Sequence, residues 1–306
     1  MLMLLGLALP LAILGFGLSG GSDNDDEDMV TLDGTDDADR LEGDEGSDFI
    51  SGNGGDDILI GNAGNDTLLG HEGDDVLEGA NGDDMLCSGD GDDVVFGNVG
   101  HDLLEGQEGN DFLSGDYGFD SIFGNEGDDI MVGGRGGDLV NGNDGDDLVF
   151  GGIIENLPLN LQEMTALRDG GSLAELNGGI EMRDDSVGNE LWGGAGDDNL
   201  ILGSGDVADG NSGADTYHIM SEQNGNVAPV ISSYIPDQDA ITVIVRDVDA
   251  DADISVTDEG EDAIIRMGDT ILARVSGAAG TLATADVTLI AESTVTQLFD
   301  PNGVAA

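Results

Sequence analysis

Thirteen aspartates recur every nine residues: Asp39, Asp48, Asp57, Asp66, Asp75, Asp84, Asp93, Asp102, Asp111, Asp120, Asp129, Asp138 and Asp147. Two more, Asp198 and Asp215, take the same place in a weaker return of the pattern over 184–218. A carboxylate at one fixed position, with glycines just before it and an aliphatic two residues after it, is a set of hard oxygen donors beside loop carbonyls. That chemistry suits calcium.

The elements that would position these carboxylates follow from the period. With Gly52-Asn53-Gly54-Gly55-Asp56-Asp57-Ile58-Leu59-Ile60 as columns one to nine, column six is always Asp across Gly34–Phe150. Column eight is always apolar, column one is Gly except Ser88, and column four is Gly except Asp37. Six residues are expected to make a tight loop and three a short strand. Glycine at columns one and four would supply positive φ and close backbone approach. Side chains alternate along a strand, so column eight points inward and columns seven and nine outward. A disordered acidic tract would account for the composition but not for thirteen apolar residues at column eight. Disorder is the expectation for the calcium-free chain.

The nonad Gly-Gly-x-Gly-x-Asp-x-aliphatic-x resembles the RTX, or haemolysin-type calcium-binding, repeat. The resemblance implies an all-β fold: a right-handed parallel β-roll (β-solenoid) in which two nonads make one turn. It also implies calcium ions between stacked loops, held by loop carbonyls and by the column-six carboxylates, including Asp198 and Asp215. The unit after Asp198 is degenerate, because Val207 falls where Asp belongs when nine residues are counted forward.

Charge sharpens the expectation. The chain has 306 residues and a formal net charge of −59, and its seven basic residues are all Arg. Such a chain repels nucleic acid and anionic membrane surfaces, and its natural partners are cations. Calcium at tenfold saturation would stabilise the folded form by about 1.4 kcal/mol per site, so about eleven inter-loop sites at most would contribute roughly 15 kcal/mol, comparable to the stability of a whole domain. A calcium-poor cytosol would leave the roll open and the exterior would close it. The single cysteine, Cys87, allows no internal disulfide and reads as an apolar filler of column nine.

In chain order, 1–21 is an uncharged apolar segment, a signal or membrane anchor, and the only expected point of membrane contact. An acidic linker spans 22–33, the roll 34–152, an insertion with a short helix 153–187, degenerate repeats 188–218, and a C-terminal β capping and secretion region 219–306. Strands are expected in that last region at 241–246, 253–257, 262–267, 270–275 and 286–290. One outer sheet face lines up Arg40, Ile58, Val76, Val94, Phe112, Ile130 and Leu148 at column seven, with Ile60, Phe96, Val132 and Phe150 at column nine. Such a row must be covered by a later part of the chain or by another protein, a second copy or a surface.

Enzymatic activity is not expected. His71, His101 and His218 are scattered, no His-Glu-x-x-His occurs, and Gly17-Leu18-Ser19-Gly20-Gly21 lies in an apolar tail rather than on a strand-turn-helix. The function expected is calcium binding by an exported or surface-held bacterial protein that folds on the ion. The alternatives are an adhesion or interaction module using the apolar outer sheet, with calcium purely structural, and an accessory part of a secreted hydrolase.

Overall fold

A computed structural model describes residues 29–155, 157, 159–169, 180–222, 227–245 and 253–291. The apolar segment 1–21, residues 22–28 of the acidic linker and the tail from 292 lie outside the described residues.

The repeats form a parallel β-roll. Strands alternate between two sheets, one of thirteen strands and one of eleven. Each strand pairs with the one two repeats later, as in Ile58↔Val76, Val76↔Val94 and Val94↔Phe112. A step of eighteen residues is one turn of two nonads. Thr31–Asp33 already pairs with Phe49–Ser51, so the roll begins inside the stretch expected to be linker.

The strands are longer than expected. Ile58–Ala63, Thr67–Glu72 and their neighbours run six residues, from column seven through column three of the next nonad, and only columns four to six turn. Inter-strand hydrogen bonding continues across a kink at column two, where Asn53, Asn62, His71 and Asn98 all have φ between 74° and 83°. Positive φ therefore falls at columns two and four, and not at column one. Asparagine tolerates the left-handed region through its short polar side chain. Column-one glycine serves close approach: a Cβ on Gly79 would lie 2.5 Å from Asp84 Oδ2 and 3.0 Å from the Gly97 carbonyl oxygen.

Column eight forms the core as expected, with Leu59, Leu77, Leu104 and Val149 among a continuous fully buried stack. At roughly 1.5–3 kcal/mol for each aliphatic, this stack supplies the hydrophobic stabilisation of the roll.

The apolar outer face is covered by the chain itself. Val76, Val94, Phe96, Phe112, Ile130 and Phe150 share one buried cluster with Ile154, Leu159, Met164, Leu167 and Met182 of the insertion. The insertion's helix, Leu161–Arg168, starts at a capping box: the Asn160 side chain accepts from Gln162 and Glu163 N–H, and Glu163 reaches back to Asn160 N–H. Met164 and Leu167 face the roll. An antiparallel pair, Ile153–Glu155 with Glu181–Arg183, frames the insertion.

The roll then resumes in register, Leu139↔Glu190 and Leu148↔Asn199. Beyond it, Ala240–Val245 and Val287–Ala291 extend the eleven-stranded sheet. The antiparallel strands Ile254–Glu259, Asp262–Met267 and Thr270–Val275 close the other sheet through Val230–Ile231. All five strands expected after residue 240 form, each within two residues of its expected bounds.

Candidate metal centre

Each column-six aspartate stands at the end of a turn, where the chain enters a strand. Its Oδ1 accepts the backbone N–H of the column-six residue one turn earlier. Asp39 donates to Asp57, Asp57 to Asp75, and Asp93 to Asp111, at 2.7, 2.7 and 2.8 Å. On the other edge Asp48 donates to Asp66 and Asp66 to Asp84, at 2.7 and 2.8 Å. The strict period thus builds two ladders, one along each edge of the roll. The first continues through Asp147 to Asp198 and on to Asp215.

The second oxygen is different. Oδ2 is buried without a hydrogen-bond partner in Asp57, Asp66, Asp75, Asp84, Asp93, Asp102, Asp111, Asp120, Asp129, Asp138, Asp147 and Asp198. An unpaired carboxylate oxygen away from water is costly. The backbone shows why it is unpaired. In the first two copies column two lies outside the left-handed region, and its N–H reaches Oδ2: Thr35 N–H to Asp39 and Asp44 N–H to Asp48, both at 2.7 Å. From Asn53 to Asn143 column two is left-handed in every copy, and no N–H reaches Oδ2.

These oxygens fit a hard cation. Except at Asp93, each Oδ2 lies against the column-one glycine, in the space a Cβ would fill, and a column-one carbonyl oxygen from the next turn borders the same space, as at Gly79. The donor set is one carboxylate with backbone carbonyls. Correspondingly, no cluster of three or more His, Cys, Asp or Glu side chains suited to a metal occurs among the described residues. Ser88, the one column-one residue with a side chain, donates its hydroxyl to the Gly106 carbonyl at 2.9 Å and lies beside Asp93.

The electrostatics agree. Burial pushes the carboxyls of Asp57, Asp75 and Asp111 up to about 6, about 8 and about 9. Backbone N–H donation opposes the shift, and the carboxylates one turn away add to it. A bound cation would reverse the balance in favour of the ionised form.

Three ladder members are not apparent when nine residues are counted forward. Asp206, rather than Val207, takes the column-six place: it accepts Asn189 N–H at 2.9 Å on Oδ1 and Gly203 N–H at 2.6 Å on Oδ2. Counting back nine from Asp215 finds it. Asn189 stands in column six after the insertion, accepting Asp138 N–H at 2.8 Å and donating Nδ2–H to the Gly151 carbonyl (3.1 Å) and to Asp206 Oδ1 (3.0 Å). Asp239 follows Asp215, accepting its N–H at 3.3 Å and Ile235 N–H at 2.7 Å.

The histidines form no reactive group. His71 and His101 are exposed; His71 meets Ser51 Oγ at 3.1 Å, and His101 Nδ1 accepts Phe119 N–H. His218 is buried between Thr242 and Asn199, and burial lowers it to about 4. Burial first, then Glu105, pushes the Cys87 thiol up to about 11, which leaves it unreactive.

The RTX calcium-binding nonapeptide repeat matches the chain in overlapping blocks, 33–68, 51–86, 69–104, 88–122, 105–140 and 123–153, and again at 188–208. No curated protein sequence matches it. Among solved structures, the extracellular lipase LipA of Serratia marcescens is 15% identical over 83% of this chain, with a TM-score of 0.23. This chain covers 40% of that lipase. The AlgE6R3 subunit of the Azotobacter vinelandii mannuronan C5-epimerase is 18% identical, covering 68% of this chain and 79% of its own, with a TM-score of 0.13.

Proposed function

Residues 33–153 and 188–208 are RTX calcium-binding nonapeptide repeats, and from that premise we propose that this is an exported or surface-held bacterial protein whose roll closes on calcium. The observation that carries the reading is the set of twelve buried, unpartnered Oδ2 atoms. Column-six Asp57 through Asp147, with Asp198, would hold the ions together with column-one carbonyls. Asp39, Asp48 and Asp215 stand on the same ladders and complete the proposed set. Asp39 and Asp48 already have backbone N–H groups on Oδ2 and would bind more weakly.

Calcium supplies the positive charge that buried carboxylates and carbonyls lack. The chain does the rest. Column-six Oδ1 fixes each turn to the previous one, column-two residues turn their N–H groups away from Oδ2, and column-one glycines leave room beside it. With no ion the oxygens repel and the turns separate; with ions they lock. The proposed units are an apolar N-terminal segment (1–21), a linker, the roll, the insertion, the degenerate repeats and a C-terminal cap with a secretion role. No catalytic role is proposed. The interaction reading loses the face it was built on, because the insertion occupies it.

A calcium titration of residues 22–306 by far-UV circular dichroism, with magnesium as control, tests this. A cooperative gain of β structure, specific to calcium and near millimolar, is expected. Full β structure in chelator would overturn it.

A further inference from the structure

Asp116 lies outside both ladders. It sits at column two, left-handed at φ 69°, on the outer face of the eleven-stranded sheet. Its side chain is 6% exposed. Oδ1 accepts the hydroxyl hydrogen of fully buried Ser114 at 3.0 Å, and Oδ2 has no partner. Burial raises its carboxyl to about 8; the Ser114 hydroxyl opposes the rise, and Asp120, Asp102 and Glu78 add to it.

Asp116 lines a cavity of about 80 Å³ where the insertion leaves the roll. The next residue in register is Gly134, where a Cβ would meet the Asp116 backbone, and Ile153, Ile154 and Glu155 of the insertion line the cavity as well. Arg135 also borders it, but its guanidinium lies 5.3 Å over the Tyr117 ring. Glu155 also lines the cavity, and one of its carboxylate oxygens meets Arg183 at 3.0 Å. A water needs about 10–15 Å³ of such space, so the cavity has room for an ion with part of its hydration shell. An apolar occupant would leave Asp116 unpaired.

We propose that Asp116, Glu155 and this cavity form a cation site separate from the ladders, taking a partly hydrated divalent cation and fastening the insertion to the roll. The site joins two segments far apart in sequence, so its occupancy bears on how the apolar outer face stays covered. It rests on the roll being closed, which the proposed function assigns to the ladders, but uses none of their carboxylates.

The test counts calcium bound to the full chain by native mass spectrometry, with hydrogen exchange as second readout. D116N is expected to bind one calcium fewer than the parent. Exchange should quicken at Ile153–Glu155 and Glu181–Arg183 while the ladder strands keep their protection. An unchanged count and unchanged exchange overturn the proposal, because water or Arg135 then satisfies the carboxylate. Should D116N fail to close on calcium, E155Q decides: at least a tenfold weaker last-bound calcium supports the site, and an unchanged affinity overturns it. D75N, in the ladder, separates the two readings. Loss of calcium in D75N but not in D116N or E155Q sinks only this proposal, whereas no loss in D75N counts against the ladder.

Discussion

The regular nonads, 52–150, and the C-terminal coils with their cap, 188–291, treat most of their buried carboxylates in opposite ways, Asp198 alone keeping the buried unpaired oxygen of the regular nonads. In the regular nonads one oxygen of every column-six aspartate is unpaired. In the C-terminal coils Asn189 replaces the charge with an amide that donates to a carbonyl, and both oxygens of Asp206 and of Asp239 accept N–H groups. The interior changes too. A single aliphatic column gives way to Tyr217, whose hydroxyl donates to the Ser233 carbonyl at 2.7 Å and accepts Gly210 N–H at 2.9 Å, packed with Ile219, Ile241 and Val243. One fold thus contains a region that leaves one oxygen of each column-six aspartate unpaired and a region that pairs both at Asp206 and Asp239 with its own hydrogen bonds, though not at Asp198. On the proposed reading, cation demand follows the hydrogen bonding of Oδ2 rather than the repeat itself.

The largest expected effect is on chelation. In excess chelator, amides of 52–150 should exchange at least about a hundredfold faster than with calcium, while the strands of 188–291 keep much of their protection. Uniform loss or uniform retention along the chain would erase the distinction between the regions.

Acid should partly replace calcium in the regular nonads. The folded carboxyls of Asp57, Asp75 and Asp111, at about 6, about 8 and about 9, lie above the ordinary 3.8, so the folded state binds more protons across that window. Calcium-free stability therefore rises as pH falls toward about 4, and is lost as pH climbs through the folded values. Circular dichroism in chelator between pH 8 and pH 5 should show β structure returning on acidification. In the C-terminal coils Asp206, raised by burial to about 7, gives a smaller effect of the same sign.

Gly79→Ala places a methyl against Asp84 Oδ2 and the Gly97 carbonyl. A cost of about 1–3 kcal/mol is expected, read as a higher calcium midpoint. Gly260→Ala, in a cap turn at φ 73° with open space around it, should cost about 1 kcal/mol and leave the midpoint unchanged.

The smallest effects come from exchanging ladder chemistry. D111N should make its turn resemble the Asn189 turn, keeping the fold and lowering the calcium count by one or two. N189D should do the reverse, removing the Nδ2 donor to Gly151 and raising the calcium requirement of the C-terminal coils. Indifference of both variants to calcium would show that the amide and the carboxylate are equivalent there.

Much of this was legible in the residues. The nine-residue period located the column-six aspartates, the buried column-eight stack and the eighteen-residue turn, because a solenoid repeats each residue's environment along with its type. The cap strands were legible from alternation and from turn glycines such as Gly260 and Gly268. Asn189 and Asp206 were missed because an insertion and a one-residue deletion break the count while the backbone ladder passes through both. The left-handed column two was missed because asparagine's tolerance of positive φ is a weaker signal than glycine's.

The sequence by itself determined the repeat, the inward column and the placement of one carboxylate per nonad, since each is a local periodic property. The tertiary structure decided which carboxylate oxygens find an N–H, that the insertion covers the apolar outer face, and that Asp116 and the start of the insertion line one cavity. Those outcomes depend on peptide orientation and on contacts between segments distant in the chain, and no period in the sequence encodes them.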